Sequence, residues 1–322
     1  MADIIVKLKE LAVKSPRRIV FPEGDDLRIL KACRIIRDEG IAYPVILGSG
    51  AMALMEKEGI SVEGLEFVDV SSVDFDFYIS LLLEKRKHKG LSKSDAEALL
   101  GDVNYLGALM VESGFVDAMI SGASHPTSSV LRPALQIVGT RVGVKTASSF
   151  FLVSKDDLNY FFSDCAFVID PDASQLKDIA ISTARSAERL GFEPRVALLS
   201  FSSLGSAKHE SISKIVDALA LIKKDEPSLL VDGELQLDAA IDEGVASLKC
   251  PNSPLKGRAN VLIFPDLNSG NIGYKLVERL GHFRAIGPIV QGLKKPINDL
   301  SRGCCIEDIV NVAVLTVLEV DE

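Results

Sequence analysis

A hydroxyl (Ser301), a guanidinium (Arg302), a glycine (Gly303) and a carboxylate (Asp308) follow one another closely, just ahead of an apolar run beginning Ile309-Val310. A guanidinium can grip a phosphate through two parallel hydrogen bonds. A hydroxyl can donate to an oxyanion forming on a carbonyl, and a carboxylate can take a proton. These are the groups needed to pass an acyl unit between a thiol and a phosphate. Asp308 is the weak member of the set. An ordinary aspartate titrates near ~3.9 and a thiol near ~8.5, so the proton transfer is uphill unless burial or nearby arginines narrow the gap. The other reading of Asp308 is a first-turn helix residue that orients Arg302. Cys304 and Cys305 invite a covalent route, but no histidine lies near them in sequence, and unpaired cysteines most often serve as small buried hydrophobes. Direct transfer without an acyl-enzyme is therefore expected.

The elements that must position these groups read as alternating strands and helices, which argues for α/β layering. Expected strands are Arg18–Phe21, Tyr43–Leu47, Leu65–Val70, Val116–Ile120, Ser148–Val153, Ala166–Asp170, Val196–Phe201 and Val261–Pro265. Expected helices are Asp26–Glu39, Glu97–Gly114 with Gly107 at its centre, one carrying Arg132 towards Val138, Ser174–Leu190, Ile212–Lys223 and Glu307–Val320. In such folds ligands sit beyond the carboxyl ends of the strands. Two small-residue segments fall there. One is Asn268-Ser269-Gly270-Asn271-Ile272-Gly273, read as two turns leading into a helix whose free amides could hold an anion. The other is the loop Ser121-Gly122-Ala123-Ser124-His125-Pro126-Thr127, with Arg132 about a turn and a half further along. Neither is a GxGxxG dinucleotide fingerprint. Taken alone, the first reads more simply as turn and capping chemistry. Arg132 alone reads as a helix-surface residue. The basic run Lys85-Arg86-Lys87-His88-Lys89-Gly90 alone reads as a solvated helix end closed by glycine.

Composition sets the outer limits. Hydrophobic residues make up 47% of the 322 residues, ample for a core or for two domains. Acidic residues outnumber basic ones, 45 to 36, and a net charge of −9 repels nucleic acid at long range. The apolar runs fall short of the ~18 residues that span a bilayer, and the N-terminal residues lack the apolar core of a secretory signal. A cytoplasmic protein with no membrane association is expected. The five cysteines form no CxxC pair and the four histidines are scattered, so neither a disulfide framework nor a metal site is expected.

Motifs spread over nearly the whole chain resemble those of the phosphate acetyltransferase and phosphate butyryltransferase family. They are Lys87-His88-Lys89-Gly90, Ser121-Gly122-Ala123, Leu131-Arg132-Pro133, Pro265-Asp266-Leu267-Asn268, Gly270-Asn271-Ile272-Gly273, Ala285-Ile286-Gly287-Pro288 and Lys295-Pro296-Ile297-Asn298-Asp299-Leu300-Ser301-Arg302-Gly303. The acetyl-specific members look closer than the butyryl ones. The resemblance implies reversible acetyl transfer between coenzyme A and phosphate, with CoA, acetyl-CoA, phosphate and acetyl phosphate as substrates and no tightly bound cofactor. It implies catalytic roles for Ser301, Arg302, Asp308 and Arg279, and coenzyme A contacts from Arg86 and Arg132. Cys304 falls on a family cysteine near the site, and Ser121, Gly122, Asn268, Gly270 and Asn271 are further expected substrate contacts. Two α/β domains of the isocitrate/isopropylmalate dehydrogenase-like type are implied, residues 1–145 plus 300–322 and residues 146–299. The active site is then expected in the interdomain cleft, and a homodimer is implied. The alternatives are a butyryl-specific transferase and a non-catalytic module that senses CoA or acetyl phosphate.

Overall fold

Short apolar runs pair into two separate sheets, and the chain divides accordingly. The computed structural model describes residues 4–321. One unit holds Ile5–Val142 and the segment from Leu293 onward; the other holds Gly143–Gly292. The strands, in chain order, are β1 (Arg17–Phe21), β2 (Ala42–Leu47), β3 (Glu66–Val68), β4 (Ala118–Ser121), β5 (Ser148–Lys155), β6 (Leu158–Ser163), β7 (Val196–Leu199), β8 (Val231–Leu235), β9 (Val261–Ile263), β10 (Arg284–Gln291) and β11 (Ile297–Asp299).

The discontinuous unit carries a parallel sheet of order β11-β4-β1-β2-β3. Ile19, Val20 and Phe21 of β1 and Val45, Ile46 and Leu47 of β2 are fully buried, as expected of strands covered on both faces by crossover helices. The terminal helix, Ile306–Glu319, turns an almost unbroken apolar surface inward and packs on the helix Leu27–Asp38. From β1 the chain moves outward to β2 and β3 on one side, and β4 and β11 lie on the other. The carboxyl ends of β1 and β4 therefore flank the point where strand order reverses, the place where open α/β sheets bind ligands.

The continuous unit carries a mixed sheet of order β10-β5-β6-β9-β7-β8. The pairs β10–β5 and β5–β6 are antiparallel, and the remainder are parallel. Its core gathers Phe151, Phe162, Leu262 and Phe264. Buried Gln291 donates to the hydroxyls of Ser148, Ser163 and Thr183 at 2.9, 3.1 and 2.8 Å, so its amide nitrogen enters the interior with partners.

Three local expectations are corrected. Ala166–Asp170 is not a strand: the buried carboxylate of Asp164 accepts the N–H groups of Ala166, Phe167 and Val168, which wraps the backbone into a turn. The helix expected over Glu97–Gly114 is broken in two, Lys93–Leu100 and Val103–Ser113, because Asp102 caps the second by accepting the N–H of Asn104 at 2.8 Å. The first unit resumes at Leu293, ahead of residue 300, because Ile297–Asp299 pairs with β4 as the edge strand.

Candidate active site

Parallel pairing delivers the loops after β1, β4 and β11 to one edge of the first sheet. Leu300 extends the strand contact by donating its N–H to Ser121 O at 2.7 Å. Arg28, in the first turn of the helix after β1, ties the three loops together. Its guanidinium clasps Asp26 through Nε and Nη2, at 3.1 and 2.6 Å. It also donates to the carbonyls of Ala123 (2.7 Å), Arg302 (2.9 Å) and Cys304 (3.1 Å). The Asp26 carboxylate raises the Arg28 pKa, against burial, so the cation persists at every working pH.

Glu23, immediately after β1, is the second organiser. Its carboxylate is buried and accepts the N–H groups of Gly122 (2.9 Å), Ala123 (2.8 Å), Ser124 (2.9 Å) and His125 (3.0 Å), the Ser124 hydroxyl at 2.8 Å, and lies 2.7 Å from His125 Nδ1. Burial pushes its pKa up, but the His125, Ser124 and Ala123 donors outweigh it and hold Glu23 below the ordinary value. Backbone donors converging on one carboxylate fix the 122–125 loop as firmly as a bound anion would.

The loop after β11 presents the expected catalytic groups. Ser301, Arg302 and Gly303 are exposed. The Ser301 hydroxyl accepts the Gly303 N–H at 3.2 Å, and Ser301 O accepts the Cys304 N–H at 2.9 Å, a tight turn that throws the Arg302 side chain outward. Among the described residues no carboxylate pairs with the Arg302 guanidinium, so it can take an anion. Asp308 is also exposed, and its Oδ2 accepts the Cys305 N–H at 2.8 Å. It thus closes the first turn of the terminal helix, with its carboxylate at the surface. Cys304 is buried, and that burial pushes its thiol up to about 11 despite Arg28; the carboxylates of Asp308, Asp26 and Glu23 add to the rise. A thiol so disfavoured as thiolate is a poor nucleophile.

Arg86 ends the helix Phe75–Arg86, and Arg132 lies in Thr127–Pro133. Both lie within electrostatic range of Tyr105, whose hydroxyl donates to Gln136 Oε1 at 2.9 Å. Arg86 is half-buried and Arg132 exposed.

Two expected contacts are corrected. Ser121 is buried and its hydroxyl donates to Asn104 Oδ1 at 2.6 Å, while the Gly122 N–H is spent on Glu23. Both build the loop, with the Ser121 hydroxyl and the Gly122 N–H turned to partners inside the protein. Gly122 is required for space: it holds φ +108°, and a Cβ there would collide with Asp299 Oδ1 and lie 2.7 Å from Leu300 N.

The remaining expected residues belong to the continuous unit. Asn268, Gly270 and Asn271 are not in turns ahead of a helix; they lie inside its first turns, the helix running Leu267–Gly281. Asp266 caps it by accepting the Ser269 N–H at 2.8 Å, so that amide is already spent and a second carboxylate-like ligand would meet a negative charge. Gly270 packs on the Asp164 carbonyl, where a Cβ would collide, and Asn271 Nδ2 donates to Cys165 O at 3.0 Å. Asn268 and Arg279 are exposed, Arg279 lying 3.4 Å from Glu278.

Glu23, Arg28, His125 and Asp299 were not anticipated as site residues. Asp299 is buried at the end of β11, accepts the Thr127 hydroxyl at 2.6 Å through Oδ2, and leaves Oδ1 without a partner. Burial raises its pKa to about 6 in spite of Thr127, and the nearby Glu23 charge contributes to the rise. Among the described residues no group of three or more His, Cys, Asp or Glu side chains could hold a metal, and no helix is long and apolar enough to cross a membrane.

The sequence profile of the family described as "Phosphate acetyl/butaryl transferase" matches residues 3–317. A protein named phosphate acetyltransferase from Thermoanaerobacterium thermosaccharolyticum is 46% identical over 325 residues, covering 98% of this chain and 99% of that protein. A crystal structure of a phosphotransacetylase from Streptococcus pyogenes superposes with a TM-score of 0.95 at 41% identity, covering 99% of each chain. A phosphotransacetylase from Staphylococcus aureus gives 0.92 at 40% identity, covering 99% of this chain and 98% of that one.

Proposed function

The chain belongs to the phosphate acetyl/butyryltransferase family, and on that premise we propose that it is a phosphate acetyltransferase. It moves an acetyl group reversibly between coenzyme A and inorganic phosphate by direct attack in a ternary complex. The observation that carries this reading is the exposed Arg302 guanidinium, unpaired with any carboxylate among the described residues, on a turn anchored by Arg28 at the carboxyl edge of a parallel sheet.

In the thioester-forming direction Arg302 binds the phosphate of acetyl phosphate and offsets charge as the phosphate departs. Ser301 stabilises the oxyanion on the acetyl carbon. Arg86 and Arg132 bind the phosphates of coenzyme A, a role that fits the positive field both exert on Tyr105. Asp308, which accepts the Cys305 N–H, holds the end of the loop that carries Arg302. The acetyl reading is preferred over butyryl because full-length relatives carry the acetyl name. We assign the two compact units as the two domains of the enzyme, and place it in the cytoplasm as a homodimer.

The test is thioester formation from coenzyme A and acetyl phosphate, followed by ultraviolet absorbance, with Arg302→Ala and butyryl phosphate in parallel. Rapid turnover that collapses in the variant supports the assignment. Faster reaction with butyryl phosphate transfers it to the longer acyl chain, and ligand binding without turnover of either substrate makes the protein a sensor.

A further inference from the structure

Two segments of the first unit carry the arginines assigned to the two substrates. Arg302 stands on the turn after β11, and Arg132 on the helix Thr127–Pro133, which packs against β11. One side-chain hydrogen bond joins them: Thr127 Oγ1 donates to Asp299 Oδ2 at 2.6 Å, across 172 residues of sequence. Thr127 is the first residue of the Arg132 helix, and Asp299 is the last residue of β11, just ahead of Leu300-Ser301-Arg302. Asp299 is 3% exposed, its Oδ1 lacks a partner, and among the described residues no cation pairs with its carboxylate. A buried polar group left without full partners costs free energy, so cohesion alone does not account for an aspartate here. Its setting is also tight. Asp299 is in register with Ser121, and a Cβ on Gly122 would collide with Asp299 Oδ1. With Oδ1 pressed against Gly122, Oδ2 is left to Thr127.

The loop between β4 and the Arg132 helix is fastened at its start as well. Arg28 holds Ala123 O through Nη2 and Arg302 O through Nη1. The loop is thus tied to the chain around β11 at two points, by Arg28 at Ala123 and by Asp299 at Thr127. Two ties hold the Arg132 helix at a set distance from the Arg302 turn. Direct transfer between two bound substrates demands such spacing, since a misplacement of about 1 Å can cost about 10²-fold in rate.

We propose that the Thr127–Asp299 hydrogen bond sets the spacing between the coenzyme A site and the acetyl phosphate site, an assignment that rests on the phosphate acetyltransferase reading. Thr127 and Asp299 are then positioning residues for the ternary complex. They act through the segments that carry Arg132 and Arg302, and their part is to align two substrates already bound. Its loss is therefore felt in kcat and not in the affinity for either substrate alone.

The experiment compares wild type, Thr127→Val, Thr127→Ser, Asp299→Leu and the double variant Thr127→Val with Asp299→Leu. Thioester formation, melting temperature and the separate affinities for coenzyme A and inorganic phosphate are measured for each. A wild type that forms no thioester would overturn the underlying reading before the hydrogen bond is reached. Thr127 is exposed, so its replacement leaves the core intact. With an active wild type, Thr127→Val keeps the shape, loses the hydroxyl and should lower kcat about ten- to hundred-fold. Both separate affinities should stay within about twofold of wild type. Thr127→Ser restores the donor and should keep most of the activity, a rescue that a role in packing alone would not give. The double variant should be no slower than the slower single variant, as for two groups acting through one bond. The proposal falls if Thr127→Val stays within about twofold of the wild-type kcat, or if Thr127→Ser is as slow as Thr127→Val. It falls equally if coenzyme A affinity drops as far as kcat, or if the two single losses multiply in the double variant.

Discussion

Arg28 Nη1 donates to the main-chain carbonyl of Arg302 at 2.9 Å, although 274 residues separate the two in sequence. The backbone of the arginine proposed to bind phosphate is therefore held by another arginine, which leaves the Arg302 guanidinium outside the contact. Replacing Arg28 by lysine keeps a positive charge but loses the planar fork that reaches Asp26, Ala123 and Arg302 together. Arg28→Lys should lose about 1–3 kcal/mol of stability in denaturant titration, as expected for bonds to a charged donor. Its kcat should fall about ten- to hundred-fold through misplacement of the turn. An unchanged kcat would show that the anchor is dispensable.

Arg302→Lys is a sharper probe of phosphate recognition than Arg302→Ala. A lysine supplies charge without two-pronged geometry. The expected result is a raised KM for acetyl phosphate and a kcat reduced by about 10²-fold or more. The melting temperature should be unchanged, since the guanidinium makes no carboxylate pair among the described residues. A variant with wild-type KM for acetyl phosphate would place the phosphate elsewhere.

Asp299 makes stability depend on pH. Its pKa rises from 3.8 to about 6 on folding, chiefly through burial. The folded state therefore favours the protonated form, and that contribution is complete below pH ~4 and lost as pH rises through about 6. The rise is about two units, so the ionised form costs roughly 3 kcal/mol above pH 6. Asp299→Asn removes the charge and can still accept from Thr127. The stability difference between variant and wild type should shift towards the variant by up to that amount between pH 4 and 7. A difference that stays flat over this range would refute the assignment.

The two neighbouring cysteines should separate under alkylation. Cys305 is exposed, whereas Cys304 is buried with its thiol held up at about 11. Iodoacetamide at neutral pH should label Cys305 first, as read by peptide mass spectrometry, and Cys304→Ala should keep most of its activity. An acetylated Cys304 trapped during turnover would reverse this view.

Legibility in the sequence followed the range of the interactions. β1, β2 and β4 were readable because each is a local run of apolar residues. β8 was not, because Asp232, Gly233 and Glu234 interrupt it with polar character; both carboxylates are nonetheless buried, and Glu234 accepts the Ser202 hydroxyl and the Gly205 N–H. Asn268–Gly273 looked like turns on account of its glycines, but Gly270 is there to let the helix press on the Asp164 carbonyl. Ser301 and Arg302 stand out as candidates because their types lie side by side. Glu23 and His125 do not: 102 residues separate them, and neither has a neighbour in sequence that hints at the other.

The return of the chain at Leu293 also has a bearing on synthesis. The edge of β4 that β11 covers has no strand partner until Gly143–Gly292 has been made, roughly ten to thirty seconds at usual ribosomal rates. During that interval the nascent first unit exposes an unpaired strand edge of the kind that recruits wrong partners. Since Ser301 and Arg302 follow β11 after one residue, the strand that closes this edge also brings in the turn that carries them. A nascent chain can therefore present Ser301 and Arg302 in place only after that edge has been sealed.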